Sequence, residues 1–160
     1  MDSPEVAQPA APALEFCFEI RVAIGEPHNI GHIDGGMRRM IPLLGGTFSG
    51  PAGSGIVAPG GADWQTLFDD GSADIAARYT LVADDGSAIN IINRGYRHGP
   101  AEVMAALAAG AAVDPARYYF RTAPVFEAAG ERYGWLARHV FVGTGVRERE
   151  RVCMRCFRVR

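Results

Sequence analysis

Leu43–Trp64 reads LLGGTFSGPAGSGIVAPGGADW, and its seven glycines and two prolines break it into short extended pieces joined by bends. Glycine inside a strand marks a bulge, a sharp bend or a close backbone approach, so several together predict a sheet that curves hard enough to close on itself. Gly45-Gly46 is the expected bend, Gly55–Ala58 a strand piece and Pro59-Gly60-Gly61 its stop. The stretch ends in a shaped loop at Asp63 and Trp64, the expected rim of a pocket.

Working outward, Leu14–Ile24 alternates apolar and other residues over eleven positions, the strongest strand pattern in the chain. Gly25–Gly36, with Pro27 and paired histidines His28 and His32, reads as a loop, and Met37–Leu44 as the next strand. Ile75–Val82 and Ala88–Arg94 form a hairpin across Asp84-Asp85-Gly86-Ser87. A type I′ turn centred on Asp85-Gly86 would set Arg78 opposite Asn93 on one face. Pro100–Ala109 is the one convincing helix, with an apolar stripe of Val103, Met104 and Leu107 and a stop at Gly110. It is expected to cover one end of the sheet. Tyr118–Thr122 resumes as strand until Pro124, and Leu136–Val142 and Arg151–Val159 complete the set. The fold class that follows is all-β: a closed or nearly closed antiparallel barrel of about 8–10 strands with one covering helix. Residues 1–13, rich in Ala and Pro, read as a flexible tail, and 14–160 as one domain.

Six blocks in one order carry a resemblance: IPLLGGTFSGP (Ile41–Pro51), APGGADWQ (Ala58–Gln65), ARYTLVADDG (Ala77–Gly86), NRGYRHGP (Asn93–Pro100), YYFRTAPVFE (Tyr118–Glu127) and FVGTG (Phe141–Gly145). From about Leu14 to Val159 the chain resembles the DUF3237 family, also called UPF0311. The largest departure is HNIGHIDGGM, His28–Met37. The resemblance implies a small bacterial β-barrel protein and implies no particular activity.

The net charge of −2 lacks the concentrated positive field that phosphate backbones require, so nucleic acid is not an expected partner. No apolar run reaches the length of a membrane span, the N-terminus lacks the pattern of a secretory signal, and a cytoplasmic location is expected. Cys17, Cys153 and Cys156 fit reduced thiols; Cys153 and Cys156, three apart on a strand, point to opposite faces and do not form a ready redox or metal pair. His28 and His32 lack a third ligand, and neither metal nor cofactor is expected.

The candidate chemistry centres on Asp63, a carboxylate beside the large aromatic Trp64, where desolvation would raise its pKa toward the range useful for proton transfer. Capping of a turn by Asp63 is the structural alternative. Arg78, Arg94 and Arg121 sit mid-strand and need solvent or an anion. Arg78 with Asn93 would stabilise a developing oxyanion, and Arg121 would anchor a substrate carboxylate. Trp64, Arg94, Tyr119 and Glu127 complete the expected substrate-binding set. The expected function is cofactor-independent proton transfer on a small, partly apolar carbonyl or carboxylate compound, by isomerisation, cyclisation, hydration or retro-aldol cleavage. The alternative is a lipocalin-like binder of a small hydrophobic ligand. A small molecule is thus the expected partner, with no membrane; self-association into a homo-oligomer stays open.

Overall fold

The strand β1 (Leu14–Ile24) buries Phe18, Ile20 and Val22 on one side and turns Glu19, Arg21 and Ala23 outward, as its alternation dictates. A computed structural model describes residues 6–160 and carries this pattern round a closed antiparallel barrel. The remaining strands are β2 (His28–Ile33), β3 (Gly36–Gly50), β4 (Gly53–Val57), β5 (Gly61–Leu67), β6 (Ala73–Ala83), β7 (Ala88–His98), β8 (Tyr119–Glu127), β9 (Phe141–Arg147) and β10 (Arg151–Val159).

Ten strands make eight staves. The long β3 pairs first with β2 and β5, then, beyond a bend, with β1 and β4. So β1 with β2 forms one stave and β4 with β5 another, and β1 closes the barrel against both β3 and β10. The bend comes where the sequence places Gly45-Gly46. A Cβ on Gly46 would collide with the Arg21 carbonyl of β1, so the closure needs glycine there.

Several local expectations are corrected. Gly25–Gly36 is not a loop: His28–Ile33 pairs with β3, and glycine and histidine serve as strand residues because β3 supplies the ladder. Pro124 does not end β8; its ladder to β9 involves only Arg121 and Thr122, so Pro124 has a neighbour on one side only, where a missing N–H is tolerated. Leu136 lies in a 3-10 turn, Gly134–Arg138, that follows the four-residue helix α2 (Gly130–Tyr133). In the hairpin no non-glycine residue has positive φ, whereas Gly86 has φ +86. A type I′ turn is therefore excluded. Gly86 N donates to the Ala83 carbonyl and Ala83 N to the Ser87 carbonyl, which makes Gly86 the left-handed third loop residue. The register shifts by one: Arg78 faces Ile92, and Asn93 faces Ala77.

The tail expected over residues 1–13 lies in part, at 1–5, outside the described residues. Val6–Ala13 has no regular structure, and Ala13 exchanges backbone hydrogen bonds with Arg160 at 2.9 and 2.8 Å. Helix α1 (Ala101–Ala108) buries Val103, Met104 and Leu107. No helix among the described residues is long and apolar enough to cross a membrane.

The interior is divided along the axis. At the end capped by α2, Phe18, Phe48, Phe126 and Phe141 fill the barrel in edge-to-face contacts. At the end beneath α1 the inward side chains include Asp63, Gln65, Asn93 and Arg97, all buried.

Candidate functional site

Period-two alternation on three strands brings the polar cluster together. On β5, Asp63 and Gln65 point inward while Trp64 points out; on β6, Ala77 and Tyr79 are inside and Arg78 outside. On β7 the inward row runs Ile89, Ile91, Asn93 and, past Gly95, Arg97. Arg39 of β3 and Arg147 of β9 are half-buried at the same end.

Asp63 is 9% exposed, and both its oxygens accept hydrogen bonds: Oδ2 from Gln65 Nε2 at 2.6 Å and Oδ1 from the Ala76 backbone N–H at 3.1 Å. Gln65 Oε1 in turn accepts from Arg39 Nε at 3.1 Å and Nη2 at 2.8 Å. Arginine can only donate, so Gln65 must present its oxygen to Arg39 and its NH₂ to Asp63. The amide is thereby oriented from both sides. Burial pushes the Asp63 carboxyl above its ordinary value, against the opposing pull of the Gln65 and Ala76 hydrogen bonds and of the Arg97 and Arg39 charges.

Arg97, 7% exposed, lies with its guanidinium 5.7 Å from the Phe120 ring centroid, and its Nε has no hydrogen-bond partner among the described residues. Burial, then the charges of Arg147 and Arg39, bring it down to about 10, so it is still a cation at neutral pH. Burial likewise lowers Arg39 and Arg147. Asn93 is 3% exposed and its Oδ1 is also without a partner. It lies beside the Tyr79 hydroxyl, whose ionisation burial pushes up, Cys156 adding to the rise and the Asn93 hydrogen bond opposing it.

Two spaces meet here. An inner pocket of about 40 Å³ is lined by Asp63, Tyr79, Asn93 and Arg97 together with apolar side chains such as Ile75 and Met154. An outer cavity of about 660 Å³ opens beneath α1, against Met104 and Leu107. Ile24, Arg97 and Arg147 line both and so stand where the two adjoin. The inner pocket has room for a few atoms only, the outer one for a small molecule.

Of the expected site residues, Asp63 and Asn93 are brought together and the other six are not. Arg78 and Arg94 are exposed on the outer surface because the hairpin register differs by one and outward positions stay outward. Trp64 is 43% exposed, being adjacent in β5 to an inward residue. Tyr119 and Arg121 occupy the outward row of β8, where Tyr119 stacks on His98 at 4.7 Å and Arg121 lies over the Tyr119 ring. Glu127, on the same outward row, accepts from Asn90 Nδ2 at 2.8 Å. The expected convergence of Arg78 and Arg121 on the pocket is thus overturned. Gln65, Arg97, Arg39 and Arg147 take their place, unforeseen. Arg97 was within reach of the sequence, since continuing the alternation Ile89, Ile91, Asn93 by four residues lands on it. Cys153 faces outward and Cys156 inward on β10, as their spacing requires.

Comparison with known proteins places the whole chain. A UPF0311 protein of Rhodopseudomonas palustris strain TIE-1 is 41% identical over 143 residues, covering 88% of this chain and 94% of that protein. One from Clostridium acetobutylicum is 40% identical over 146 residues, covering 91% and 92%. Among solved structures, a conserved protein of unknown function from R. palustris superposes with TM-score 0.89 at 36% identity, covering 96% of this chain and all (100%) of that one. A β-barrel-like protein from Acinetobacter baumannii gives 0.84 at 37%, covering 96% and 99%. An enzyme from Penicillium herquei shares the fold, with TM-score 0.71 at 22% identity over 97% of this chain and 99% of that one. The family model described as a protein of unknown function, DUF3237, matches residues 12–159, and the chain belongs to that family.

Proposed function

We propose that the protein is a cofactor-independent enzyme that moves a proton at a carbon next to a carbonyl group. The carrying observation is Asp63: a buried carboxyl that lines a small inner pocket adjoining the outer cavity, held by Gln65 and Ala76 and raised by burial. A raised carboxylate is a stronger base than an ordinary one, so taking a proton from carbon is less uphill for it. In the step proposed, the C–H bond breaks, the proton goes to Asp63, and the electron pair moves onto the carbonyl oxygen as an enolate. Asn93 and the Tyr79 hydroxyl face that oxygen as neutral donors, and Arg97 adds positive charge. Reprotonation from Asp63 at a neighbouring carbon completes an isomerisation; expulsion of a leaving group from the enolate completes an elimination.

The carrier reading fits less well. Lipocalin-like binding needs a long apolar cavity, and here half the barrel is filled by phenylalanines while the inner pocket holds only a few atoms. Proton exchange in D₂O tests the proposal: small 1,3-dicarbonyl compounds, from acetylacetone to acetoacetate, are followed by NMR. Protein-dependent C–H exchange that falls by about 100-fold or more in Asp63→Asn is expected. Exchange no faster than in buffer across the panel, or undiminished in the variant, overturns it.

A further inference from the structure

Arg39, Arg97 and Arg147 line the outer cavity from three separate strands, β3, β7 and β9, and Arg97 and Arg147 line the inner pocket as well. Six other arginines form ion pairs with Glu15, Glu19, Asp85 or Glu148; none of these three does among the described residues. Among the described residues, Asp63 is the one carboxylate whose charge is felt by all three. Three cations therefore surround one carboxylate that burial itself disfavours as an anion. The acidic side chains on the outer cavity, Glu26, Asp69, Asp70 and Glu150, are exposed, and solvent screens them from the buried layer. Arg149 beside them is exposed as well.

Burying like charges together without a counter-ion is strongly unfavourable, and a chain keeps such a cluster where something else supplies the anion. The orphaned Arg97 Nε marks the spot. Arg147 already donates through Nη1 to the Glu148 and Arg149 carbonyls, which holds its guanidinium where the two cavities adjoin. Arg39 is held by Gln65.

We propose that this arginine layer is an anion site, filled by a carboxylate or phosphate group, and that the compound acted on is accordingly an organic acid. The second half rests on the proton-transfer role of Asp63; the first does not. The arrangement sorts the ligand into three parts. Its body occupies the outer cavity under α1, its anionic group bridges the arginines, and a short carbonyl-bearing end of a few atoms reaches Asp63 and Asn93. Asn93 Oδ1, a buried acceptor without a donor, asks that this end carry a hydroxyl or N–H as well.

Titration calorimetry at low ionic strength on the full chain tests the site with malonate, inorganic phosphate and malonamide, the last a neutral relative of the first. One malonate or phosphate per chain is expected, with malonamide weaker by about tenfold or more. Whichever anion binds more tightly names the acid group. Arg97→Gln and Arg147→Met should each weaken the anion by about tenfold or more, and affinity should fall as salt is added. Asp63→Asn should keep or raise the affinity, since it removes a like charge; anion binding in a protein that fails the D₂O exchange assay would uphold the site while removing the catalytic reading. Malonamide binding as tightly as malonate, no anion binding by the unaltered chain, or unchanged affinity in folded Arg97→Gln would overturn the site.

Discussion

The two ends of this barrel are built from the same strands and do opposite things. Toward α2, β6 and β7 contribute Leu81, Ile89 and Ile91, each 0% exposed, packed among four phenylalanines under Tyr133 and Leu136. Toward α1 the same two strands contribute Ala77, Asn93 and Arg97 around an opening. One end is filled by its own side chains, although the buried Tyr133 hydroxyl there also lacks a partner among the described residues. The other leaves a charge and two polar atoms unanswered, which is what a site waiting for a ligand looks like, and its strain is sustained by the packing of the far end.

The largest effect should come from the filled end. Phe126 touches both Phe18 and Phe141, so Phe126→Ala removes a ring from a site that cannot collapse and should cost about 3–5 kcal/mol in urea unfolding. A cost under about 1 kcal/mol would mean that this end is not the packed core described. At the open end the sign should reverse. Arg97→Met removes a buried, unpartnered cation and keeps much of the volume, so unfolding should become harder by about 1–3 kcal/mol while anion binding is lost. A loss of stability in Arg97→Met would erase the contrast.

Smaller is the pH dependence of stability that Asp63 contributes. Its folded pKa lies above the unfolded one, so between the two the native state holds more protons and stability falls as pH rises. The penalty is absent below the ordinary value of 3.8 and complete above the raised one. Asp63→Asn should flatten that decline, which for a single group is at most about 1.4 kcal/mol per pH unit. Parallel stability curves for the two proteins would contradict this. The smallest effect concerns α1, which is held by Val103, Met104 and Leu107 alone. Its amides should exchange through openings well below the global unfolding energy, while those of β6 and β7 exchange only near it. Equal protection would show that the cover is as fixed as the barrel.

Much of the fold was legible. Alternation exposed β1, the glycines of Leu43–Trp64 announced the bend and closure, and Pro100 with Gly110 bracketed α1. Strand β2 was hidden because Gly31 and two histidines carry no strand signal of their own; β3 makes it a strand by pairing. The site was legible at Asp63 and Asn93 and misread around them. Parity within each strand is local, but which residues of two strands lie abreast depends on one turn residue, and Gly86 closes the hairpin differently from the expected type I′ turn. Arg39 and Arg147 could not have been grouped with Arg97 from spacing, since only closure of the barrel brings β3, β7 and β9 to one cavity.

The central claim, that the open end holds a carboxyl ready to accept and return a proton, is met most directly by a ¹³C NMR titration of the Asp63 side-chain carbon, assigned through its loss in Asp63→Asn. The account expects a midpoint clearly above 3.8, rising in Arg97→Met as a neighbouring positive charge is removed. A midpoint at or below 3.8, or one indifferent to Arg97, would mean that Asp63 is an ordinary structural carboxylate and would contradict it.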